Sequence, residues 1–532
     1  MVEKTNDTGN RNGNKSIFEK YEVWLMAVSI LVIGFVVAGL TMYPDQGRAL
    51  AADLMRLLTH TFGAPMQVLT LVVLFFLIGI AFSKFGEIRL GSGRPEFSTL
   101  SWIGMMFFCG QGAGTVYWAF LEWGWHFQAA PQLFGTPVSE AMNYEIAMAY
   151  TFFDWGISAW GLLCIFVLPF AYHYHIKGDD ELRFSALCKY SLGEKAVKGF
   201  FGKVVDFVFI FAAVGAITIS AGASASTIAT AIADFLGIQY TFAMSVMVLL
   251  GVAVLYSITS VLGIEKGMRR ISDSNVYFVI TLLTFILLVG PTRHILDSVV
   301  NALGLYGQNF IRMSLWTDPI ARSSYPQDWT VFYLVYWLVF GPFTGLFVAK
   351  ISKGRRIREV IFNMLLTGSA GLLVFFGIVG GYQQWLREAG LLDVPAMLMA
   401  GQAQDIATAT LNALPLARIA MLLYLVVIVL FLATTLDATS FTLSSTVSKA
   451  LAHGEEPRKV LKFVWCLVLV AIPIAIAFIG TDIDTIKAIV LATGFPLVVI
   501  LAIIYHGFMR ELFNDYKHKS KEEIIEEGRL VD

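Results

Sequence analysis

Four aromatic residues at helical spacing in one apolar segment could bind a cation. Tyr333, Tyr336, Trp337 and Phe340 lie within Gln327–Arg358. Residues three or four positions apart share a helix face, so these rings would form one surface. Aromatic faces attract cations too bulky to donate hydrogen bonds, by about 0.5–2 kcal/mol per desolvated face. Ordinary aromatic packing in a proline-kinked structural helix is the open alternative.

Two tryptophans in an earlier apolar segment could complete this surface. Trp155 and Trp160 occur in DWGISAWGLL, directly after Asp154. Five positions on a helix separate the two indoles by roughly 140°, so both can border one cavity only along its rim. Interfacial belts and core packing are equally open interpretations of these tryptophans. The predicted aromatic box consists of Trp155, Trp160, Trp337, Phe340 and Tyr336.

Glycines interrupt two apolar segments that lie far apart in the chain. Gly110, Gly112 and Gly114 alternate in one segment, and the other contains Gly341-Pro342-Phe343-Thr344-Gly345. Glycine and proline both lower the cost of leaving helical geometry. We therefore expect both helices to break in mid-membrane, with Gly112 and Gly114 close to a ligand. Paired breaks at matching positions indicate a mid-membrane binding site between two repeats.

A polar stretch within a third apolar segment could bind a sodium ion. Thr434, Thr435 and Asp437 interrupt the run FLATTLDATSFTLSS. Threonine hydroxyls are hard oxygen ligands, especially beside carbonyls released by a break near Gly110. The alternative is that each hydroxyl bonds back to a carbonyl of its own helix.

The composition requires a membrane protein. Of the 532 residues, 57% are hydrophobic and only 14% are charged, with a mean hydropathy of +0.69. These values are outside the usual range for a soluble chain. The formal net charge of −1 gives no indication of a nucleic-acid partner. The four cysteines lack metal-ligand spacing, and no nucleotide loop or nucleophile elbow is present, which disfavours an enzyme.

The apolar segments predict an all-α polytopic membrane protein with twelve transmembrane helices. The predicted spans are 22–43, 65–87, 98–127, 143–174, 203–236, 241–263, 273–292, 327–351, 359–386, 416–449, 458–480 and 484–509. Basic residues concentrate in the loops after even-numbered spans, so both termini are predicted to be cytoplasmic. Leu296–Met313 has helical amphipathic spacing and predicts a helix along the membrane or against a neighbouring subunit.

The segments also predict how the chain is divided. A disordered cytoplasmic tail precedes two peripheral helices, and two five-helix repeats follow, joined by an amphipathic connecting helix. An odd number of spans per repeat inverts the second copy relative to the first. The predicted divisions are 1–16, 17–95, 96–292, 293–326, 327–512 and a cytoplasmic tail at 513–532.

Four motifs together carry a family resemblance over most of the chain. They are EFSTLSWIGMMFFCGQGAGTVYWAFLEW, DWGISAWGLL, DWTVFYLVYWLVFGPFTGLFVAKISKGRRIRE and TTLDATSFTLSS. In these segments the chain resembles the betaine/carnitine/choline transporter family. The resemblance implies an inverted five-helix repeat of the amino-acid/sodium symporter type and a homotrimer that uses the amphipathic helix. It also implies alternating-access transport of a substrate with a trimethylammonium or similar head group.

The resemblance further implies a sodium site. Its ligands would be the backbone carbonyls of Phe108, Gln111 and Phe431 and the hydroxyls of Thr434 and Thr435. The same match assigns the aromatic box described above, in which relatives often have tryptophan at the position of Phe340.

Two further matches bear on ion coupling. Phe343 corresponds to a family position linked to a second sodium, for which Thr218 and Ser220 are candidate hydroxyl partners. Sodium-independent exchangers of the family carry a basic side chain where this chain aligns Asn275. The asparagine therefore favours sodium coupling.

The chain departs from the family pattern at three positions. Leu163 replaces a tyrosine that completes the box in many relatives, and Gly114 replaces a carboxylate of some choline carriers. Asp154 replaces a histidine. Its carboxylate could neutralise a substrate that is a net cation, or it could face away and pair with another helix.

Glu122 matches a family glutamate and is interpreted as structural, while His126 has no assigned role.

The favoured function is secondary active transport of a methylated ammonium compound, such as betaine, choline, carnitine or trimethylamine, or of a sulfonium analogue. We expect sodium coupling, a multi-pass location in the inner (plasma) membrane, and no enzymatic activity. Sodium/substrate antiport or substrate exchange at the same site is the main alternative. A sensor or channel is a weaker one, because an enclosed binding site favours a carrier over an open path.

Overall fold

The computed structural model describes residues 21–110, 112–135, 137–179, 181, 183–262, 269–448, 457–479 and 483–530. Within these ranges all regular elements are helical, and β structure is limited to two isolated bridges, Tyr21 with Ser448 and Arg89 with Arg356. The predicted tail at 1–16 lies outside the described residues.

The described residues of the first half form twelve α-helices. They are α1 Val23–Met42, α2 Pro44–Phe82, α3 Thr99–Gly110, α4 Ala113–Trp118, α5 Glu122–Ala129, α6 Glu140–Trp155, α7 Ile157–His175, α8 Lys189–Leu192, α9 Glu194–Lys198, α10 Phe200–Leu236, α11 Phe242–Leu262 and α12 Arg269–Val289. Three short 3-10 turns lie between them, at Lys84–Glu87, Gln132–Phe134 and Phe184–Cys188.

The second half contains ten more α-helices within the described ranges. They are α13 Thr292–Leu315, α14 Phe332–Ile351, α15 Ile357–Phe362, α16 Ser369–Glu388, α17 Val394–Met399, α18 Ile406–Asn412, α19 Ala417–Thr446, α20 Lys459–Ile479, α21 Ile483–Tyr516 and α22 Lys521–Leu530. Two π-helical segments, Pro326–Val331 and Asn363–Gly368, and a 3-10 turn, Ala403–Asp405, join them.

Eight helical segments of the described chain are long and apolar enough to cross a membrane, or nine if the bent pair Ser274–Val289 and Thr292–Leu315 is counted as one span. They correspond to nine of the predicted spans. Predicted span three is divided into α3, α4 and α5, and predicted spans six and eleven border residues outside the described ranges. A polytopic membrane fold follows, while the count of twelve stays a prediction.

Helix α14 lies at the centre of the fold and packs chiefly against α7. All its side chains except Phe347 and Lys350 are buried. A continuous apolar sequence with no polar face suits such a position, because a helix that is hydrophobic all round is buried on all sides.

The predicted break at Gly341–Gly345 is wrong. Helix α14 runs through Pro342 without interruption. The two glycines have another purpose, since a Cβ atom at Gly341 would lie 2.2 Å from Phe166 Cδ2, and one at Gly345 would lie 2.7 Å from Phe166 Cβ. They let α14 approach α7 closely, and surrounding helices make a proline tolerable inside a membrane helix.

The predicted break at Gly112 is present. Helix α3 ends at Gly110 and α4 begins at Ala113, with Gly112 in extended geometry at φ −85° and ψ −174°. A second break, at Gly156, separates α6 from α7. Trp155 and Trp160 therefore lie on different helices, so the predicted 140° angle between them on one helix does not apply.

The predicted amphipathic segment Leu296–Met313 is confirmed as part of α13, which bends by 110° from the helix before it. Its exposed apolar side chains include Leu296, Val300 and Ile311. Such a helix suits a membrane surface or a neighbouring subunit.

Candidate functional site

Trp155 and Trp337 meet at the centre of the fold. Trp155 is the last residue of α6, and its indole contacts the Trp337 indole of α14 edge to face, with ring centroids 5.0 Å apart. Trp337 Nε1 donates a hydrogen bond to the backbone oxygen of Asp154 at 2.8 Å. Both indoles are buried. The hydrogen bond fixes one wall of aromatic surface relative to the break at Gly156.

The aromatic row predicted on α14 forms a continuous group of rings. Tyr336 contacts Phe340 at 4.9 Å and Trp337 at 5.4 Å between centroids, and Trp337 lies 6.3 Å from Phe340. Tyr333 extends the group to Trp155 at 5.9 Å. Aromatic faces of this kind attract quaternary ammonium groups when a cavity exposes them.

Trp160 lies on α7, the helix that follows α6 in the chain. Its indole packs against Gly368, where an added Cβ atom would come within 2.3 Å of Trp160 Cδ2. The absence of a side chain at Gly368 thus makes room for the indole. Leu163, also on α7, is completely buried, so the position where relatives have a tyrosine is filled by an aliphatic side chain.

The break at Gly112 lies against α19 and close to the aromatic row. A Cβ atom at Gly112 would be 2.8 Å from Thr435 Oγ1, and one at Gly114 would be 2.6 Å from Ser220 Oγ and 3.8 Å from Tyr336 Oη. The structure therefore brings Gly112 and Gly114 together with a predicted sodium ligand and a predicted box residue. Such close approach explains the glycines at both positions.

The threonine hydroxyls bond to their own helix. Thr434 Oγ1 donates to the Leu430 and Phe431 oxygens at 3.0 and 2.9 Å, and Thr435 Oγ1 donates to the Phe431 oxygen at 2.7 Å. A hydroxyl that donates a hydrogen bond can also bind a cation through its oxygen. Three of the five predicted sodium ligands are thus grouped within about one turn of α19. Phe108 lies in the last turn of α3, and Gln111 is outside the described residues.

Four residues that the family match relates to a second sodium or to sodium coupling are all buried: Phe343, Thr218, Ser220 and Asn275. Phe343 lies on α14, and Thr218 Oγ1 donates to the Val214 oxygen at 2.7 Å within α10. Ser220 Oγ lies 3.5 Å from Tyr336 Oη. Asn275 is completely buried on α12, and its amide atoms form no hydrogen bond among the described residues.

Asp154 forms a buried cluster with Glu122 and His126. His126 Nε2 lies 3.1 Å from Glu122 Oε1 and 3.2 Å from Asp154 Oδ2. Tyr333 Oη donates to Glu122 Oε2 at 2.7 Å, and Tyr325 Oη lies 2.8 Å from His126 Nδ1. The carboxylate of Asp154 therefore pairs with helix α5, while its backbone oxygen contacts the aromatic group.

A cavity of about 1070 Å³ opens where α14 begins. Three tryptophans line it, Trp118, Trp125 and Trp329. Its charged lining residues are Arg56, Arg322, Lys487, Asp318 and Asp328. Trp329 also packs on the His126 ring, with centroids 5.0 Å apart. The cavity is thus separated from the Glu122–His126–Asp154 cluster by one indole.

The sequence of almost the whole chain matches a known transporter family. A model of the betaine/carnitine/choline family transporters matches residues 24–517. The chain belongs to this family. It is similar to a carnitine transporter of Acinetobacter baumannii, with 34% identity over 97% of this chain and 93% of the relative. It is also similar to YeaV of Escherichia coli K12, an uncharacterised transporter, with 36% identity over 84% of this chain and 92% of the relative.

Membership of the betaine/carnitine/choline transporter family confirms three predictions. The chain is a transporter and not an enzyme, it is a multi-pass membrane protein, and it acts on a small-molecule substrate within a lipid bilayer. The family assignment made from the four sequence motifs is likewise confirmed.

Several residues of this family site were missed by sequence reasoning. The ring centroids of Phe376 on α16 and Trp155 lie 4.5 Å apart, Gly368 leaves space for the Trp160 indole, and Gly156 leaves space for the Tyr306 hydroxyl. Phe376 has no distinguishing signal within its apolar run. For Glu122 and His126 a signal was present, because their four-residue spacing places both side chains on one helix face.

Proposed function

We propose that this chain is a secondary active transporter that moves a methylated ammonium compound, or a sulfonium analogue, by alternating access and with sodium coupling. The cationic head would bind against Trp155, Trp337, Tyr336 and Phe340, with Trp160 on the neighbouring helix. The carnitine transporter among its relatives makes carnitine the first substrate to test, followed by betaine, choline, trimethylamine and sulfonium compounds.

The observation that carries this proposal is the contact between Trp155 and Trp337 beside a broken helix. Two indoles from different helices meet at 5.0 Å, and one is fixed by a hydrogen bond to the Asp154 backbone. Desolvated indole faces are the strongest natural binding surface for a cation without hydrogen-bond donors. Their position on two helices also allows the surface to change when the helices move.

Sodium would bind where the Gly112 break approaches α19. The close approach of Gly112 to Thr435, and the grouping of the Phe431 carbonyl with the Thr434 and Thr435 hydroxyls, supply neutral oxygen ligands of the required type. Phe108 and Gln111 would contribute backbone carbonyls, and Phe343 marks a second candidate position. As a co-transported ion, sodium would supply the free energy that drives substrate accumulation.

The fold proposal comprises twelve transmembrane helices, an inverted five-helix repeat, a homotrimer and location in the plasma membrane with both termini cytoplasmic. Family membership, the break at Gly112 and the apolar outer surface of α13 support it. Helix α14 is continuous at Pro342, so this position gives the repeat no support.

Transport into proteoliposomes tests the proposal. Radiolabelled carnitine, betaine, choline, dimethylsulfoniopropionate and trimethylamine are offered with an inward, an outward and no sodium gradient. Symport predicts accumulation with the inward gradient only; stimulation by the outward gradient would indicate antiport, and uptake that requires only internal substrate would indicate exchange. Transport of none of the five compounds would overturn the substrate assignment.

Matched tryptophan variants test the binding surface. Trp337→Leu removes an indole from the aromatic group, whereas Trp24→Leu removes one from the exposed face of α1. We expect the first to raise the apparent KM about tenfold or more, since it removes a cation–π face and the hydrogen bond to Asp154. Equal effects of the two substitutions would contradict the proposed surface.

A further inference from the structure

The Glu122–His126–Asp154 cluster has more acidic groups than bases. Its two carboxylates and one imidazole are almost completely buried, and both carboxylates approach the same imidazole nitrogen, Nε2. A single N–H can serve only one of them well. Among the described residues no lysine or arginine forms an ion pair with Glu122 or Asp154. Two buried carboxylates close together cannot both remain ionised without a compensating positive charge.

Another buried carboxylate in the same molecule shows the opposite arrangement. Glu87 lies at the far end of the bundle and pairs with three cations, Arg356 at 3.1 Å, Lys521 at 3.3 Å, and Arg358. Its negative charge is fully compensated by side chains. The Glu122–His126–Asp154 cluster has no such compensation, so protons must supply the missing positive charge.

The cluster lies between the cavity and the aromatic group. On the cavity side, Trp329 packs on His126 and also lines the cavity, and Tyr325 contacts His126 Nδ1. On the other side, Tyr333 connects Glu122 to the ring of Trp155. Asp154 belongs to both groups, because its backbone oxygen accepts the Trp337 hydrogen bond. A change of charge in the cluster therefore acts directly on the walls of the aromatic group.

The surrounding elements contribute mainly neutral groups. Tyr150 of α6 lies 5.8 Å from the His126 ring centroid. Of the cations in this region, Arg56 and Arg322 line the cavity. Lys487 lies over the Trp329 ring at 4.5 Å, and Arg312 donates to the Leu133 oxygen. Within the described part of the chain, the neighbouring groups that interact electrostatically with the Asp154 or Glu122 carboxylate are Tyr150, Tyr306, Tyr325, Tyr333 and Tyr336, and Arg312 interacts with Tyr150.

We propose that Glu122, His126 and Asp154 form a buried proton-binding site that exchanges protons with the Trp329-lined cavity. In the step envisaged, water from the cavity reaches the cluster past the Trp329 indole, and hydronium gives its proton to one carboxylate. That carboxylate becomes a neutral carboxyl group, and water returns to the cavity. The other carboxylate then accepts the His126 Nε2–H hydrogen bond alone. Tyr325 assists by bonding to Nδ1, as donor to neutral histidine or as acceptor from the imidazolium.

Proton occupancy and substrate binding should oppose each other. This step rests on the proposed function, in which a cationic head lies against Trp155 and Trp337. A positive charge there favours ionised carboxylates in the cluster, so substrate binding releases a proton. Linkage is reciprocal, and lower pH must therefore weaken binding of the cation by the same factor.

Infrared titration of the full-length protein in lipid nanodiscs tests the proton site without any substrate. Spectra are recorded from about pH 5 to about pH 9, the range in which a shared histidine–carboxylate proton exchanges. We expect a protonated-carboxyl band that grows as the pH falls and that is lost in Glu122→Gln and in Asp154→Asn. Glu87→Gln, the control that removes a buried but compensated carboxylate, should retain it.

Two results would overturn the site: no titrating carboxyl band in the natural protein, or the same band in both cluster variants. Tyr325→Phe gives an independent check, since it keeps all three cluster residues and removes only the hydrogen bond to His126. We expect it to retain the band with a shifted midpoint, and an unshifted midpoint would contradict the role of the cluster.

Binding measurements then test the link to substrate. Choline, betaine and carnitine are used as probes, with binding followed by tryptophan fluorescence at both ends of the pH range. We expect their affinity to fall about fivefold or more at the acidic end in the natural protein and less than about twofold in Asp154→Asn. Equal pH dependence in the two proteins would overturn the coupling. Failure of all three to bind at any pH would instead refute the proposed substrate class, and the infrared result would still stand.

Discussion

Two glycine-containing segments near the centre of the fold look alike in sequence and behave differently. At Gly112 the chain leaves helical geometry between α3 and α4, whereas Gly341 and Gly345 lie within the uninterrupted helix α14. Gly112 approaches a threonine hydroxyl on α19, and the other two approach the ring and backbone of Phe166 on α7. The first segment exposes backbone groups beside a proposed ion site, and the second permits close helix packing.

The two segments share one glycine spacing and differ in what lies between those glycines. Gly341 and Gly345 are four positions apart, so they lie on one face and form a groove for a neighbouring helix. Gly110 and Gly114 are also four positions apart, but Gly112 between them is a third glycine, which lowers the cost of leaving helical geometry further. The proline between Gly341 and Gly345 does not break α14, because tight packing on all sides holds the helix together. Four-residue glycine spacing therefore does not by itself separate a packing face from a break.

The largest expected effect is on protein stability and concerns Gly341 in helix α14. Gly341→Ala places a Cβ atom 2.2 Å from Phe166 Cδ2, a distance that forces the helices apart. We expect the free energy of unfolding to fall by about 1–3 kcal/mol, the usual cost of overpacking a core. Thermal unfolding followed by tryptophan fluorescence in detergent would measure it.

Gly79→Ala is the matched control for Gly341→Ala. It lies within the membrane helix α2, where an added Cβ atom meets nothing within 4 Å. We expect no loss of stability there, because alanine is the better helix former by about 1 kcal/mol. Equal melting temperatures for the two variants would contradict the packing role of Gly341.

The second-largest expected effect is on sodium-dependent transport and concerns Gly112, between α3 and α4. Gly112→Ala places a Cβ atom 2.8 Å from Thr435 Oγ1, while the extended backbone at this position remains accessible to alanine. We expect a loss of about 1 kcal/mol in sodium binding, or roughly a fivefold higher sodium concentration for half-maximal uptake, with little change in stability. Sodium-dependent uptake into proteoliposomes would measure it.

Gly104→Ala on α3 is the control for Gly112→Ala, since its added Cβ atom would lie 3.7 Å from Val276 Cγ2, an ordinary contact. It should leave the sodium dependence unchanged. If Gly112→Ala lowered only the melting temperature and left the sodium dependence intact, the break would be a structural feature without a role at an ion site.

The sequence was informative where a pattern depends on local spacing. The aromatic row on α14, the break at Gly112 and the amphipathic helix α13 follow from periodicity or glycine content within one segment. The break at Gly156 was not foreseen, because a single glycine between two apolar runs is compatible with a continuous helix.

Patterns within one segment of the sequence could not predict contacts between distant segments. The packing of Phe376 on Trp155 and of Gly368 on Trp160 depends on how α16 and the π-helical turn before it approach the first half of the chain. The cluster of Asp154 with His126 likewise joins two helices through a tertiary contact. Spacing indicates which side chains share a face, but it does not indicate which other helix that face meets.

The smallest expected effect concerns Pro342 and tests whether α14 is a continuous packed helix. If α14 is a continuous packed helix, Pro342→Ala restores a backbone donor and should change the free energy of unfolding by less than about 1 kcal/mol, with uptake largely retained. Pro65→Ala in α2, another proline inside a helix, is the matched control. Melting temperature and initial uptake rate are measured for both variants. If Pro342→Ala alone lost uptake without losing stability, the proline would permit a bend in α14 during the transport cycle. The difference between the broken helix at Gly112 and the continuous helix α14 would then describe only one state of the transporter.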